Sequence, residues 1–137
     1  APFGRLRLHH HLAQAAGRGR ASPFALASAD GRGSGWRPAP GDDPLAMLLD
    51  ELLPLLSGLG LRTGPGQVAV LGWSMGGAGA LRLAETHPDR LVALVAASPA
   101  VDPAGAEVAV TKGCHDGRFW QHQAPAQLRL VAAALGS

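Results

Sequence analysis

The sequence predicts an α/β fold in which a short, mostly parallel sheet lies between helices, three layers deep. Three observations predict it. Residues 91–97 (LVALVAA) are apolar on both faces, the pattern of a central parallel strand covered by helices. Residues 67–72 (QVAVLG) form a second short apolar run. Around these runs apolar residues recur at spacings of three and four, so strands alternate with helices, and parallel strands need such crossovers to join them.

Residues 6–16 have the spacing of a short amphipathic helix, ended by Gly17 and Gly19. Residues 24–28, after Pro23 and before a loop of Asp30, Gly31, Gly33, Ser34 and Gly35, read as a short buried strand. Asp42 and Asp43 before Pro44 make a helix start, a carboxylate cap followed by proline in the first turn. Leu45, Leu48, Leu49, Leu52, Leu53 and Leu56 then continue at helical spacing, which gives a helix over 44–57. Pro54 removes one backbone hydrogen bond, so the last turn is expected to kink or end early. A helix over 76–86 follows the second apolar run, with Ala80, Leu81, Leu83 and Ala84 in period. Residues 108–111 read as a very short further strand, and 119–135 as a C-terminal helix with Ala124, Leu128, Val131 and Leu135 on one face. The sheet these elements imply has three or four strands. In it 67–72 is central and pairs directly with 24–28, and the helices over 44–57 and 76–86 pack against it.

With 137 residues the chain makes one domain, 1–137, with a modest core. Hydrophobic residues are 47% and charged ones 16%, too apolar for a disordered chain. The net charge of +2 comes from scattered basic residues, never a run of five, so no nucleic-acid partner is expected. No apolar stretch reaches the roughly 18–20 residues of a membrane span. The start of the chain, APFGRLRLHHHLAQ, lacks the apolar centre of a secretory signal, and a cytoplasmic location is the expectation. Cys114 is the single cysteine, which excludes an internal disulfide and a cysteine-built zinc site.

The chemistry lies in Gly72-Trp73-Ser74-Met75-Gly76-Gly77, a G-x-S-x-G placed where a strand ends and a helix begins. A sharp strand-to-helix turn forces the central serine into a strained backbone conformation, and glycines at 72 and 76 are expected to make room for it. The turn lifts the Ser74 hydroxyl off the sheet edge. It brings the Met75 amide to the same space, at a helix N-terminus that favours negative charge, as one oxyanion donor.

A serine hydroxyl needs a base downstream, and of the six histidines His115 has the right place, in a Gly113-Cys114-His115-Asp116-Gly117 loop before the C-terminal helix. His87 reads as part of a helix-ending turn before Pro88, and His122 lies inside the last helix. His9, His10 and His11 are consecutive, point three ways on a helix, and read as a solvated cluster rather than a metal site. No metal and no cofactor is expected. Asp102 and Asp116 are the acids left to orient the base. Asp116, adjacent to His115, reaches its ring poorly, whereas Asp102 follows Pro99 in a loop able to fold over the site.

The stretches PFALASADG, GDDPLAMLLDELLPLL, VAVLGWSMGGAGALRLAETHPDRLVALVAASPAVDP and GCHDGRFWQHQAPAQLRL, in this order, resemble the α/β-hydrolase superfamily, and within it the esterase D and antigen 85 group of esterases and acyltransferases. The resemblance covers most of residues 23–130. It implies that Ser74 is the nucleophile, the Met75 amide an oxyanion donor, and His115, in a His-x-x-x-Trp setting with Trp120, the base. It supplies no counterpart for the acid, and only about ten residues join Ala97 to Glu107 where a crossover needs about a dozen. A further strand stands between the counterparts of 24–28 and 67–72 in that superfamily, so the chain reads as a shortened, partial α/β-hydrolase.

The expected function is that of a serine hydrolase of the carboxylesterase type, taking a small acyl ester or thioester through Ser74 and His115. Acyl transfer to an alcohol is the nearest variant. The rival from another class is a catalytically impaired fragment, or an interaction module that keeps the elbow as a fold element.

Overall fold

The computed structural model of the protein describes residues 4, 6–19, 24–99 and 116–136. Helix α1 is Leu8–Gly17. A helical run follows in three parts: α2 (Pro44–Ala46), a π-helical stretch (Met47–Leu52) and α3 (Leu53–Gly58). Asp43 caps it as the sequence predicts, its Oδ1 accepting from the Leu45 N–H at 2.9 Å and the Ala46 N–H at 3.1 Å. Pro54 has no N–H for the Asp50 carbonyl, and its ring crowds that oxygen. The preceding turn widens in response, the Leu53 N–H reaching back to the Leu48 carbonyl, and the helix runs on through Pro54 instead of stopping. It closes where Gly60 turns left-handed at φ 82°, with the Leu61 N–H on the Leu56 carbonyl and the Gly60 N–H on the Ser57 carbonyl.

Strand β1 (Val68–Trp73), helix α4 (Met75–Thr86), a 3₁₀ turn (Pro88–Arg90) and strand β2 (Leu91–Ala97) form one strand-helix-strand unit. The strands pair in parallel, Val70 opposite Leu94 and Trp73 opposite Ala97, with one irregularity between Val68 and Ala69. Helix α5 (Gly117–Gly136) completes the described elements. Side chains alternate across β1 and divide the core in two. On one face Leu71 and Trp73 meet Leu6, Leu8, Ala124 and Leu128 under α1 and α5. On the other Val70 meets Trp36, Leu45 and Leu83 under α2 and α4. Helices therefore cover both faces of the sheet, the three-layer α/β arrangement expected.

The sheet is smaller than expected, with two strands among the described residues. Residues 24–28 are not a strand, and no backbone hydrogen bond among the described residues joins them to β1. Phe24 and Leu26 bury their side chains against the α1–α5 cluster, while Ala25, Ala27 and Ser28 stay exposed. Packing of two side chains thus satisfies the apolar character of this run without a ladder. Residues 24–28 and β1 both line a cavity of 1120 Å³, and the direct pairing expected between them does not occur among the described residues. The short strand expected at 108–111 lies outside the described residues.

Candidate active site

Strand β1 ends at Trp73 and helix α4 begins at Met75, which leaves Ser74 alone in the turn. Its backbone stands at φ 53°, ψ −118°, a region that non-glycine residues rarely occupy and that costs about 1–3 kcal/mol. Two hydrogen bonds hold it there. The Ser74 N–H donates to the Ala97 carbonyl at 2.9 Å, and the Ser74 carbonyl accepts from the Ala78 N–H at 3.1 Å. One bond ties the turn to the end of β2 and the other is the first of helix α4, so strain at Ser74 is opposed from both sides.

The glycines around it divide the work differently from expectation. A Cβ on Gly72 would collide with the Gly76 carbonyl and stand 2.7 Å from the Gly77 nitrogen, so Gly72 is required. A Cβ on Gly76 would meet nothing within 4 Å. It is the backbone of Gly76, not its missing side chain, that the turn needs close to β1. Gly77 does a job the sequence did not single out, since a Cβ there would meet Pro99 Cα at 3.2 Å and the Ala97 carbonyl at 3.4 Å. Its bareness lets the segment leaving β2 pass close over the start of α4. Ser98 in that segment also has a left-handed backbone, at φ 48°.

Met75 follows as the first residue of α4, so its amide is one of the N-terminal N–H groups that have no partner within the helix. Trp73 turns to the opposite face, where it and Trp120 both pack against the cluster of Leu6, Leu8, Ala124 and Leu128. The Trp120 indole N–H donates to Ser98 Oγ at 3.3 Å, which brings the first turn of α5 to the sheet edge where Ser74 stands. Ser74, Met75, Gly117 and Trp120 are among the residues that line the same cavity. Asp116 caps α5, its Oδ1 accepting from the Phe119 N–H at 2.9 Å and its carbonyl from the Trp120 N–H at 3.2 Å. That carboxylate is engaged in starting the helix. His115 and Asp102, the expected base and acid, lie outside the described residues, as does Cys114.

Residues 24–135 match the sequence family described as "Putative esterase". The chain belongs to this esterase family. Its fold and its membership agree, a partial α/β-hydrolase-like domain of the esterase type, and the match spans the G-x-S-x-G turn and the start of α5. No curated protein and no solved structure matches the chain. Esterase membership supports a hydrolase of the esterase type. No described helix is long and apolar enough to cross a membrane.

Sequence reasoning missed Trp36, which packs against α4 behind the candidate site. Its ring lies against both Gly79 of α4 and Gly31, so closely that a Cβ on either glycine would enter the indole. The glycines at 31 and 79 were the available signal, each bare where a large ring passes. Among the histidines, His87 ends α4 and His122 is exposed on α5, as expected. His9 and His10 are exposed with rings 4.3 Å apart. His11 departs from the solvated cluster because it is half-buried with its Nε2 lacking a hydrogen-bond partner. Burial, then the charges of Arg7 and His10, hold its pKa below the ordinary histidine value. No group of three metal-ligating side chains exists among the described residues.

Proposed function

We propose that the chain is a serine carboxylesterase that cleaves acyl esters or thioesters with Ser74 as nucleophile and His115 as base. The observation that carries this reading is the strained backbone of Ser74 between β1 and α4, held by hydrogen bonds on both sides. Strain of this kind concentrates where mechanism uses it, and a serine lifted from a strand end at a helix N-terminus has its oxygen beside amide donors. The start of α5 at the same edge supports His115, which immediately precedes Asp116, as the base.

In the first half of the reaction Ser74 Oγ attacks the acyl carbonyl while His115 takes its proton. The carbonyl oxygen becomes an oxyanion against the Met75 N–H and the N-terminus of α4. The intermediate collapses, His115 returns the proton to the departing alcohol or thiol, and an acyl-Ser74 ester remains. Water then attacks that ester, giving its proton to His115, and the carboxylic acid leaves as Ser74 recovers its proton. Asp102 is the proposed group that holds the His115 ring. An alcohol entering in place of water turns the same two steps into acyl transfer.

Hydrolysis of p-nitrophenyl acetate by the full chain tests this reading. Ser74→Ala and His115→Ala should each remove at least about 99.9% of the rate above background, because nucleophile and base act as one unit. Full activity in either variant contradicts the assignment.

A further inference from the structure

Ser98 is the first residue after β2, and contacts from three directions converge on it and its two neighbours. The Ala97 carbonyl, in the peptide that enters Ser98, accepts from the Ser74 N–H at 2.9 Å. Pro99, on the other side, passes so close to the start of α4 that a Cβ on Gly77 would stand 3.2 Å from its Cα. From α5 the Trp120 indole N–H donates to Ser98 Oγ at 3.3 Å. The turn at Ser74 is therefore held through a peptide whose own orientation depends on α4 and α5.

Ser98 has a left-handed backbone, φ 48°, where glycine is comfortable and a side chain adds strain. Backbone conformation alone favours glycine at such a position. What serine adds is the hydroxyl that Trp120 reaches. Ser98 is also exposed, so water competes for that hydroxyl and its bond to Trp120 contributes little to stability. Its effect is on direction. With Oγ fixed from α5 and Pro99 against Gly77, the Ala97 carbonyl stays aimed at the Ser74 N–H. Ser74 itself, at φ 53° and ψ −118°, is in a conformation that persists only where the surroundings over-determine it. We propose, on the reading of Ser74 as nucleophile, that Ser98 and Trp120 are positioning residues for it. The indole–hydroxyl bond holds the Ala97–Ser98 peptide, and through that peptide the strained turn that presents the nucleophile.

Ser98→Ala removes the acceptor, and Trp120→Phe removes the donor while keeping an aromatic ring. The full chain is compared as wild type, each variant and the double variant. In amide hydrogen exchange the Ser74 N–H should exchange about ten-fold faster in either variant, with amides past the first turn of α4 unchanged. A fluorophosphonate should label Ser74 about ten-fold more slowly. The kcat for p-nitrophenyl acetate should fall by a similar factor with KM unchanged, because a misplaced nucleophile loses rate and not ground-state binding. The double variant should lose no more than either single one, since both remove the same bond. Wild-type exchange or labelling in Ser98→Ala overturns the proposal. So does loss of protection throughout α4 in that variant, which would make the bond a general support of the fold, and so do losses that add in the double variant. A wild-type chain that takes no label at Ser74 overturns the catalytic reading itself, a result read before any variant is compared.

Discussion

At Ser74 the chain accepts a backbone conformation that most residues avoid, and one neighbour makes this possible. A Cβ on Gly72 would occupy the position of the Gly76 carbonyl, so Gly72→Ala must open the turn between β1 and α4. We expect it to cost about 2–4 kcal/mol in urea unfolding and to abolish esterase activity. Gly76→Ala has open space and a helical position, where alanine is favoured over glycine by about 0.5–1 kcal/mol. It should leave stability equal or higher, and equal losses in the two variants would contradict this division. The motif was legible because both glycines and the serine lie within five residues of one another. That Gly72 alone needs its missing Cβ was not, because spacing does not say which atom approaches which.

At the scale of elements, helix starts proved the most readable feature, since a cap and its helix are local. Asp43 before Pro44 is such a case, and Asp43→Ala should lower stability by about 1 kcal/mol in thermal unfolding. Asp116 caps α5 in the same way, so Asp116→Asn should keep stability and ester hydrolysis, asparagine being an equally good cap. Loss of hydrolysis with retained stability would make Asp116 a catalytic acid instead. Residues 24–28 show where local reading fails. Their composition suits a strand, but a strand exists only with a partner, and pairing depends on residues distant in the sequence. Helix α1 carries a pH effect through His11. Its pKa is lowered on folding, so the folded state binds fewer protons than the unfolded one, and stability rises with pH through the region below the ordinary histidine value. Unfolding followed by circular dichroism should show stability falling as pH drops below about 6.5, and His11→Gln should flatten that fall. An unchanged slope in the variant would assign the acid sensitivity elsewhere.

At the scale of the molecule the described residues make a thin arrangement, two parallel strands separating two apolar clusters. Each helical layer fixes one part of the candidate site, α4 with Trp36 behind Ser74 and α5 with Trp120 at the sheet edge. Three layers, parallel strands and the helices around the elbow were legible from hydrophobic period alone. Trp36 was not, because its partners Gly31 and Gly79 meet only once the chain is folded. Leu128 is 2% exposed in the α1–α5 cluster, and Leu128→Ala should cost about 2–4 kcal/mol and loosen α5 from the edge. Thermal unfolding checks the first effect, and tryptophan fluorescence of the Trp73–Trp120 region the second.

The central claim is that Ser74 is an activated nucleophile, and a fluorophosphonate probe reads this without knowledge of the substrate. Incubated with the full chain and mapped by peptide mass spectrometry, the probe should phosphonylate the Ser74 hydroxyl, with labelling greatly slowed in His115→Ala. A folded wild-type chain that takes no label, or takes it at another residue, would contradict the account.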